Sequence, residues 1–189
     1  MKNNKMNVLF LSNMIAEKGV WTIMEAAKIL HEKNLPVEFH FVGKWSDITE
    51  EMFKRTLIES HLEDVCFAHG GKYGKEKNEF WAAADVFVFP TFYHNECFPL
   101  VLLEAMQHHL PCISTTEGGI PGIIDDKETG FLIEKHDFQT LADKLEYFIE
   151  HPEESESMGE NGYRKFQDKF TLRKFEESMV DILNDCLHS

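Results

Sequence analysis

The sequence predicts a doubly wound α/β fold: a parallel sheet of about six strands, helices on both faces, and further helices at the C-terminal end. Three observations carry this. Short runs rich in strand formers recur along the chain, and each is followed by a stretch with apolar residues at helical spacing. The runs are apolar throughout instead of alternating with polar residues, the mark of strands buried on both faces, as in a parallel sheet. No Pro/Gly/Ser-rich linker and no internal repeat interrupts the alternation, so residues 1–189 are expected to form a single domain. A chain of 189 residues can bury roughly 70% of its unfolded surface, and 43% hydrophobic residues with 16 Phe supply the core.

The first strand is expected at residues 7–12, Asn-Val-Leu-Phe-Leu-Ser. Val20, Ile23, Met24, Ala27 and Leu30 give a helix over 20–33. A second strand covers 36–42 and stops at Gly43, a helix covers 49–61, and a third strand covers 65–68 before His69-Gly70-Gly71. Residues 74–84 read as helix, and 85–90 (Asp-Val-Phe-Val-Phe-Pro) form the most strand-like run. A helix follows over 99–108 with Pro99 at its first position. Residues 111–115 form a strand, Gly118-Gly119 a turn, 120–125 a short helix and 130–133 the last strand. Stretches 138–150, 152–169 and 172–187 are all helical in pattern.

Composition excludes several functions. Thirty-three acids against 19 Lys and Arg give a net charge of −14, which opposes a phosphate-tracking nucleic-acid surface and an anionic membrane face. Residues 125–160 carry −9 of it, the pattern of a solvated helical face. The remainder is closer to neutral, so a local anion site belongs there. Cys66, Cys97, Cys112 and Cys186 are scattered without a CxxC pair, and none of the ten His falls in an HExxH pattern. No metal is therefore expected, and a reducing, cytoplasmic setting is. The apolar stretch at 8–11 is too short for a signal peptide or a span.

In such sheets a ligand sits beyond the carboxyl ends of the strands, which directs attention to loops 13–19, 43–47, 69–75, 91–98 and 116–119. Neither GxGxxG nor GxxxxGK[ST] follows the first strand, against an ordinary dinucleotide or P-loop site. The informative segment is 90–106, where Glu96 and Glu104 stand eight positions apart around the start of a helix. First-turn amides there can hold an anion. Glu104, five residues past Pro99, lies about 7.5 Å along the axis at 1.5 Å per residue, where a carboxylate suits the two hydroxyls of a ribose. From spacing alone Glu104 is equally a surface residue, and Glu96 equally a carboxylate that happens to lie near a helix end.

Glu96 to Glu104, with Phe98-Pro99-Leu100 and Glu104-Ala105-Met106, resembles the Glu-seven-residues-Glu motif of the group 1 (family 4) retaining glycosyltransferases. Segments 11–19, 41–43, 84–91, 118–121 and 129–133 resemble the flanking loops and strands of that family in the same order, so the likeness spans roughly 7–150. It implies a Rossmann-like domain, the C-terminal, donor-binding half of a GT-B enzyme, with the acceptor-binding N-terminal half absent from this chain.

The resemblance further implies that Glu96 is the catalytic carboxylate contacting the donor sugar, that Glu104 binds the ribose, and that Lys18 neutralises the diphosphate. The amides of Phe98, Pro99 and Leu100 with Cys97 would line the sugar and diphosphate, Gly71 and Lys72 the nucleobase rim, and Asn13 and Gly43 the remaining wall. The implied partners are a nucleotide-sugar donor and a glycan or lipid-linked acceptor; no cofactor, metal or nucleic acid is implied, and peripheral membrane association of the full-length protein stays open. Three departures stand out: Ser12-Asn13 where the family often has Gly-Arg, His108-His109-Leu110-Pro111 where a Gly usually precedes the Pro, and Gly122 where Pro-Glu is usual. Lys44, Lys72 and Lys75 are candidates to replace the lost cation, and Tyr73 and Trp45 are candidates to stack on a base. A non-catalytic sugar-nucleotide-binding module and half of a sugar-nucleotide epimerase are the alternatives.

Overall fold

In the computed structural model, which describes residues 5–188, six parallel strands form one sheet. They are β1 (Met6–Leu11), β2 (Val37–Val42), β3 (Cys66–Ala68), β4 (Val86–Phe89), β5 (Cys112–Thr115) and β6 (Gly130–Ile133). Their order is β3-β2-β1-β4-β5-β6, the doubly wound arrangement, with the reversal between β1 and β4. Val8 pairs with Val86 and Leu9 with Phe87 across that seam. Phe10, Phe39, Phe41, Phe87 and Phe89 are all buried, so the phenylalanine-rich runs form the core as the sequence indicates.

Between the strands run α1 (Val20–Glu32), α2 (Glu50–Ser60), α3 (Gly74–Ala83), α4 (Leu100–Gln107) and a single turn, α5 (Ile120–Ile123). Helices α6 (Phe138–Glu150), α7 (Pro152–Lys169) and α8 (Leu172–His188) close the chain. Strands β2 and β5 begin one residue later than the sequence suggests, and proline gives the reason. Pro36 and Pro111 accept bonds from Met6 and Phe87 but have no N–H to donate, so the ladders start after them. Helix α2 begins where Thr49 accepts from the Met52 amide at 3.2 Å, and it ends at His61 in a left-handed conformation.

One expectation needs correction. Pro99 precedes α4 as its N-cap, with φ −72° and ψ 104°, instead of occupying the first helical position. Its carbonyl accepts from the Leu102 amide at 3.1 Å, so the helix starts at Leu100.

The acidic stretch lies largely on the outer surfaces of α6 and α7, where Glu153, Glu154 and Glu156 are exposed while Leu141, Leu145 and Phe148 are buried. Helix α8 stands apart, with Leu172, Phe175, Ile182, Leu183 and Leu187 exposed. No helix among the described residues is long and apolar enough to cross a membrane.

Candidate active site at the carboxyl edge of the sheet

The loops after β1, β2, β3, β4 and β5 meet at one edge of the sheet. After β1 the chain makes one 3₁₀ turn (Ala16–Lys18), which is stitched to the loop after β4: the Glu17 carbonyl accepts from the Phe92 amide at 2.8 Å and from the Thr91 hydroxyl at 3.3 Å. That stitching sets Lys18 beside Glu96, with which it forms an ion pair, although 78 residues separate them. Both side chains are nearly buried, 13% and 11% exposed. The Lys18 ammonium also lies 4.3 Å from the centre of the Tyr93 ring, a cation–π contact.

Glu104 projects from α4, and both its oxygens accept from the Lys77 ammonium at 2.7 Å. Each motif carboxylate is thus held by a lysine from another element. Lys77 is not among Lys44, Lys72 and Lys75, the lysines that the loop positions single out in the sequence. Its signal was the helical period: Lys77 lies four residues before the buried Trp81 and so shares its inward stripe on α3. Lys75, in contrast, is exposed and does not line the cleft.

A cleft of about 140 Å³ is lined by Ser12, Asn13, Gly43, Lys44, Gly71 and Lys72 together with Tyr73 and Lys77; of the two pairs only Lys77 lines it, and Lys18, Glu96 and Glu104 do not. Four of the expected substrate-binding residues therefore share one wall. Lys44 lies over the Tyr73 ring at 5.6 Å, and Lys72 pairs with Glu76 at 3.1 Å. Trp45 does not face the cleft; it packs on Phe53, with ring centres 5.7 Å apart, which leaves Tyr73 as the aromatic lining it. Cys97, Phe98 and Leu100 are exposed around the start of α4. Among the described residues no group of three or more His, Cys, Asp or Glu side chains is placed to hold a metal ion.

Gly118 and Gly119 act on the motif through its backbone. Gly118 has φ +53°, and a Cβ there would lie 1.6 Å from the Glu96 carbonyl oxygen. The Gly119 amide donates to the Cys97 carbonyl at 2.8 Å. Only residues without side chains let the loop after β5 press so closely on the loop that carries Glu96.

Behind β3, His69 extends a hydrogen-bonded chain across the sheet. Its Nε2 lies 3.0 Å from His40 Nδ1, His40 Nε2 lies 3.3 Å from Asn7 Oδ1, and the Asn7 amide nitrogen donates to Asp85 at 3.2 Å. Because a carboxylate only accepts, the order of donors follows: His69 to His40 to Asn7 to Asp85. Burial, assisted by His40 and Lys72, lowers the pKa of His69 to about 4. Burial also lowers that of His40, against the opposing pull of Glu38.

The chain is similar to known proteins in sequence and in fold. The family model "Glycosyl transferases group 1" matches residues 1–165. The chain is 27% identical over 187 residues to the capsular polysaccharide biosynthesis glycosyltransferase CapM of Staphylococcus aureus, covering 98% of this chain and 47% of that one. Among solved structures it resembles the C-terminal domain of a group 1 family protein, LpcC, from Francisella tularensis, with TM-score 0.78 and 26% identity over 88% of this chain and 87% of that one. It shares its fold with Alr3699/HepE of Anabaena, solved with UDP and glucose, at TM-score 0.84 and 20% identity over 96% of this chain and 48% of that one. The chain spans between 34% and 47% of the length of the first curated relatives it matches.

Proposed function

Because the chain belongs to the group 1 glycosyltransferases, we propose that it is the donor-binding domain of such an enzyme, taking a nucleotide-sugar for retaining transfer to a polysaccharide or lipid-linked glycan. The whole of residues 1–189 serves as that domain, and an acceptor-binding half completes the cleft. The observation that carries this reading is the pair of lysine-held carboxylates, Lys18–Glu96 and Lys77–Glu104, at the carboxyl edge beside the strand-order reversal. The complex of Alr3699/HepE with UDP and glucose supports a nucleotide-sugar ligand by fold.

Each group then has a task that its chemistry suits. The hydroxyls of the ribose donate to the Glu104 carboxylate, a two-oxygen acceptor. Lys18, the amides at the start of α4 and the positive end of that helix face the diphosphate, whose negative charge grows as the glycosidic bond breaks. Glu96, paired with Lys18, accepts from hydroxyls of the donor sugar. Lys18 is fixed by Glu96 and Tyr93 before reaction, so little reorganisation is needed when the leaving group departs. In this reading the leaving group's charge is met by protein groups without a metal. The free thiols Cys66 and Cys112, whose pKa values burial raises to about 12, fit a reduced cytoplasmic setting.

Calorimetry with UDP, GDP and ADP tests the assignment. One of them binds, and Glu104→Gln weakens it by about 1–3 kcal/mol because a charged acceptor is lost from two hydroxyls. Unchanged affinity in that variant would remove Glu104 from the ribose site.

A further inference from the structure

We propose that Lys77 sets the strength of ribose recognition by competing with the sugar for Glu104; this rests on the donor-site reading above. The geometry is specific. The Lys77 ammonium lies 2.7 Å from both oxygens of Glu104, so it occupies the fork between them. A vicinal diol engages a carboxylate through the same fork, one hydroxyl to each oxygen. Both cannot use it at once, and a ribose must displace the ammonium to bind in that mode.

The pair is built to exchange. Lys77 is 25% exposed and Glu104 37% exposed, so water can take over the ammonium when it leaves. An ion pair this open is worth little in isolation, in contrast to the nearly buried Lys18–Glu96 pair. Lys77 is also the group that reaches from the cleft into the motif, lining the former beside Lys72 and Tyr73 while holding Glu104. Its part is therefore in positioning and selectivity: it keeps the carboxylate occupied, and it lowers the net gain from a ribose.

Lys77 carries charge as well as a hydrogen bond, and removing it weakens any anionic ligand by the same factor. The informative quantity is thus a ratio: affinity for a nucleoside diphosphate divided by affinity for its 2′,3′-dideoxy counterpart. Calorimetry on the 189-residue chain with whichever of UDP, GDP or ADP binds, and with its dideoxy analogue, supplies it. Lys77→Met is expected to raise the ratio about two- to fivefold, the range that loss of an exposed competing ion pair allows. Lys77→Arg, which keeps a cation able to fill the fork, leaves the ratio at the wild-type value. In a Glu104→Gln background Lys77→Met leaves it unchanged, because the effect acts through the carboxylate. A ratio that stays constant or falls in Lys77→Met would overturn the proposal, as would the same rise in the Glu104→Gln background. Should the wild-type chain bind none of the three nucleotides, the donor-site reading fails first and the proposal with it. Should it bind them without distinguishing ribose from dideoxyribose, only the assignment of Glu104 and Lys77 falls.

Discussion

The two edges of the sheet differ in a way that cavity size alone would misjudge. At the amino edge lies a groove of about 800 Å³ lined by Asp85, His109, Pro111, Phe148 and Glu160 among others, whereas the cleft at the carboxyl edge is only about 140 Å³. Polar groups of the larger groove hold the fold together. His109 pairs with Glu160 at 2.6 Å, joining the end of α4 to α7, and Asp85 accepts from the Asn7 backbone at 2.8 Å, joining β4 to β1. At the carboxyl edge the charged side chains come from loops and helices far apart in sequence, and Lys44, Lys72 and Lys77 reach into one small cleft. Strands enter their ladders at one edge and release their loops at the other, so variable chemistry gathers where the loops are.

Glycine substitutions give the widest separation between the edges. Gly118→Ala forces a Cβ to within 1.6 Å of the Glu96 carbonyl at a left-handed backbone position, so the motif loop must move. Nucleotide binding is expected to fall at least tenfold, a displacement worth about 1.4 kcal/mol or more. Gly159→Ala makes a comparable clash with the His109 carbonyl, 2.0 Å away, between α7 and α4. It is expected to lower the melting temperature by several degrees, about 1–3 kcal/mol, while the folded protein binds nucleotide normally. Calorimetry and thermal melting on both variants check the pair. Equal binding losses would show that the two edges are coupled and would break the division.

How much of this was legible beforehand follows the same division. The strands were legible because parallel strands buried on both faces read as unbroken apolar runs, as in Val86–Phe89. The spacing of Glu96 and Glu104 was legible because it is local, contained in one loop and one helix, whereas their roles came only from the resemblance. Lys77 was not, since its value depends on α3 lying across from α4, a tertiary fact 27 residues removed from Glu104. The contact of Gly118 with Glu96 was hidden for the same reason: a Gly-Gly turn announces backbone freedom without saying what the backbone approaches. The chain from His69 to Asp85 draws on four elements or their ends, and no spacing in sequence encodes it.

Within the carboxyl edge, the two lysine–carboxylate pairs predict different losses. Lys18→Ala removes a cation that is nearly buried and leaves Glu96 without its partner. Diphosphate binding is expected to weaken by about 1.5–3 kcal/mol, the range for a charge-assisted hydrogen bond. Binding of the bare nucleoside, which carries no phosphate, should change by less than about 0.5 kcal/mol. Parallel losses for diphosphate and nucleoside would mean that Lys18 supports the loop instead of meeting the ligand's charge.

The smallest expected effect lies on the chain that joins the two edges. The pKa of His69 falls to about 4 in the folded protein because burial, His40 and Lys72 all disfavour its charged form. An unfolded histidine titrates near 6.5. Between those values the unfolded chain binds the extra proton and the folded chain does not, so acid favours unfolding. The stabilisation is complete above about pH 6.5 and is lost as pH falls toward about 4. Its size is modest, since His69 is only partly buried and water screens the charge. His69→Gln keeps an N–H for His40 Nδ1 and removes the titration. Melting temperatures at pH 7 and pH 4.5 should therefore fall further for the wild type than for this variant, by a degree or two. Other acid-sensitive groups lower both curves together, so the difference isolates His69. A variant that loses as much stability as the wild type would place the acid sensitivity of this fold elsewhere than on the chain between its edges.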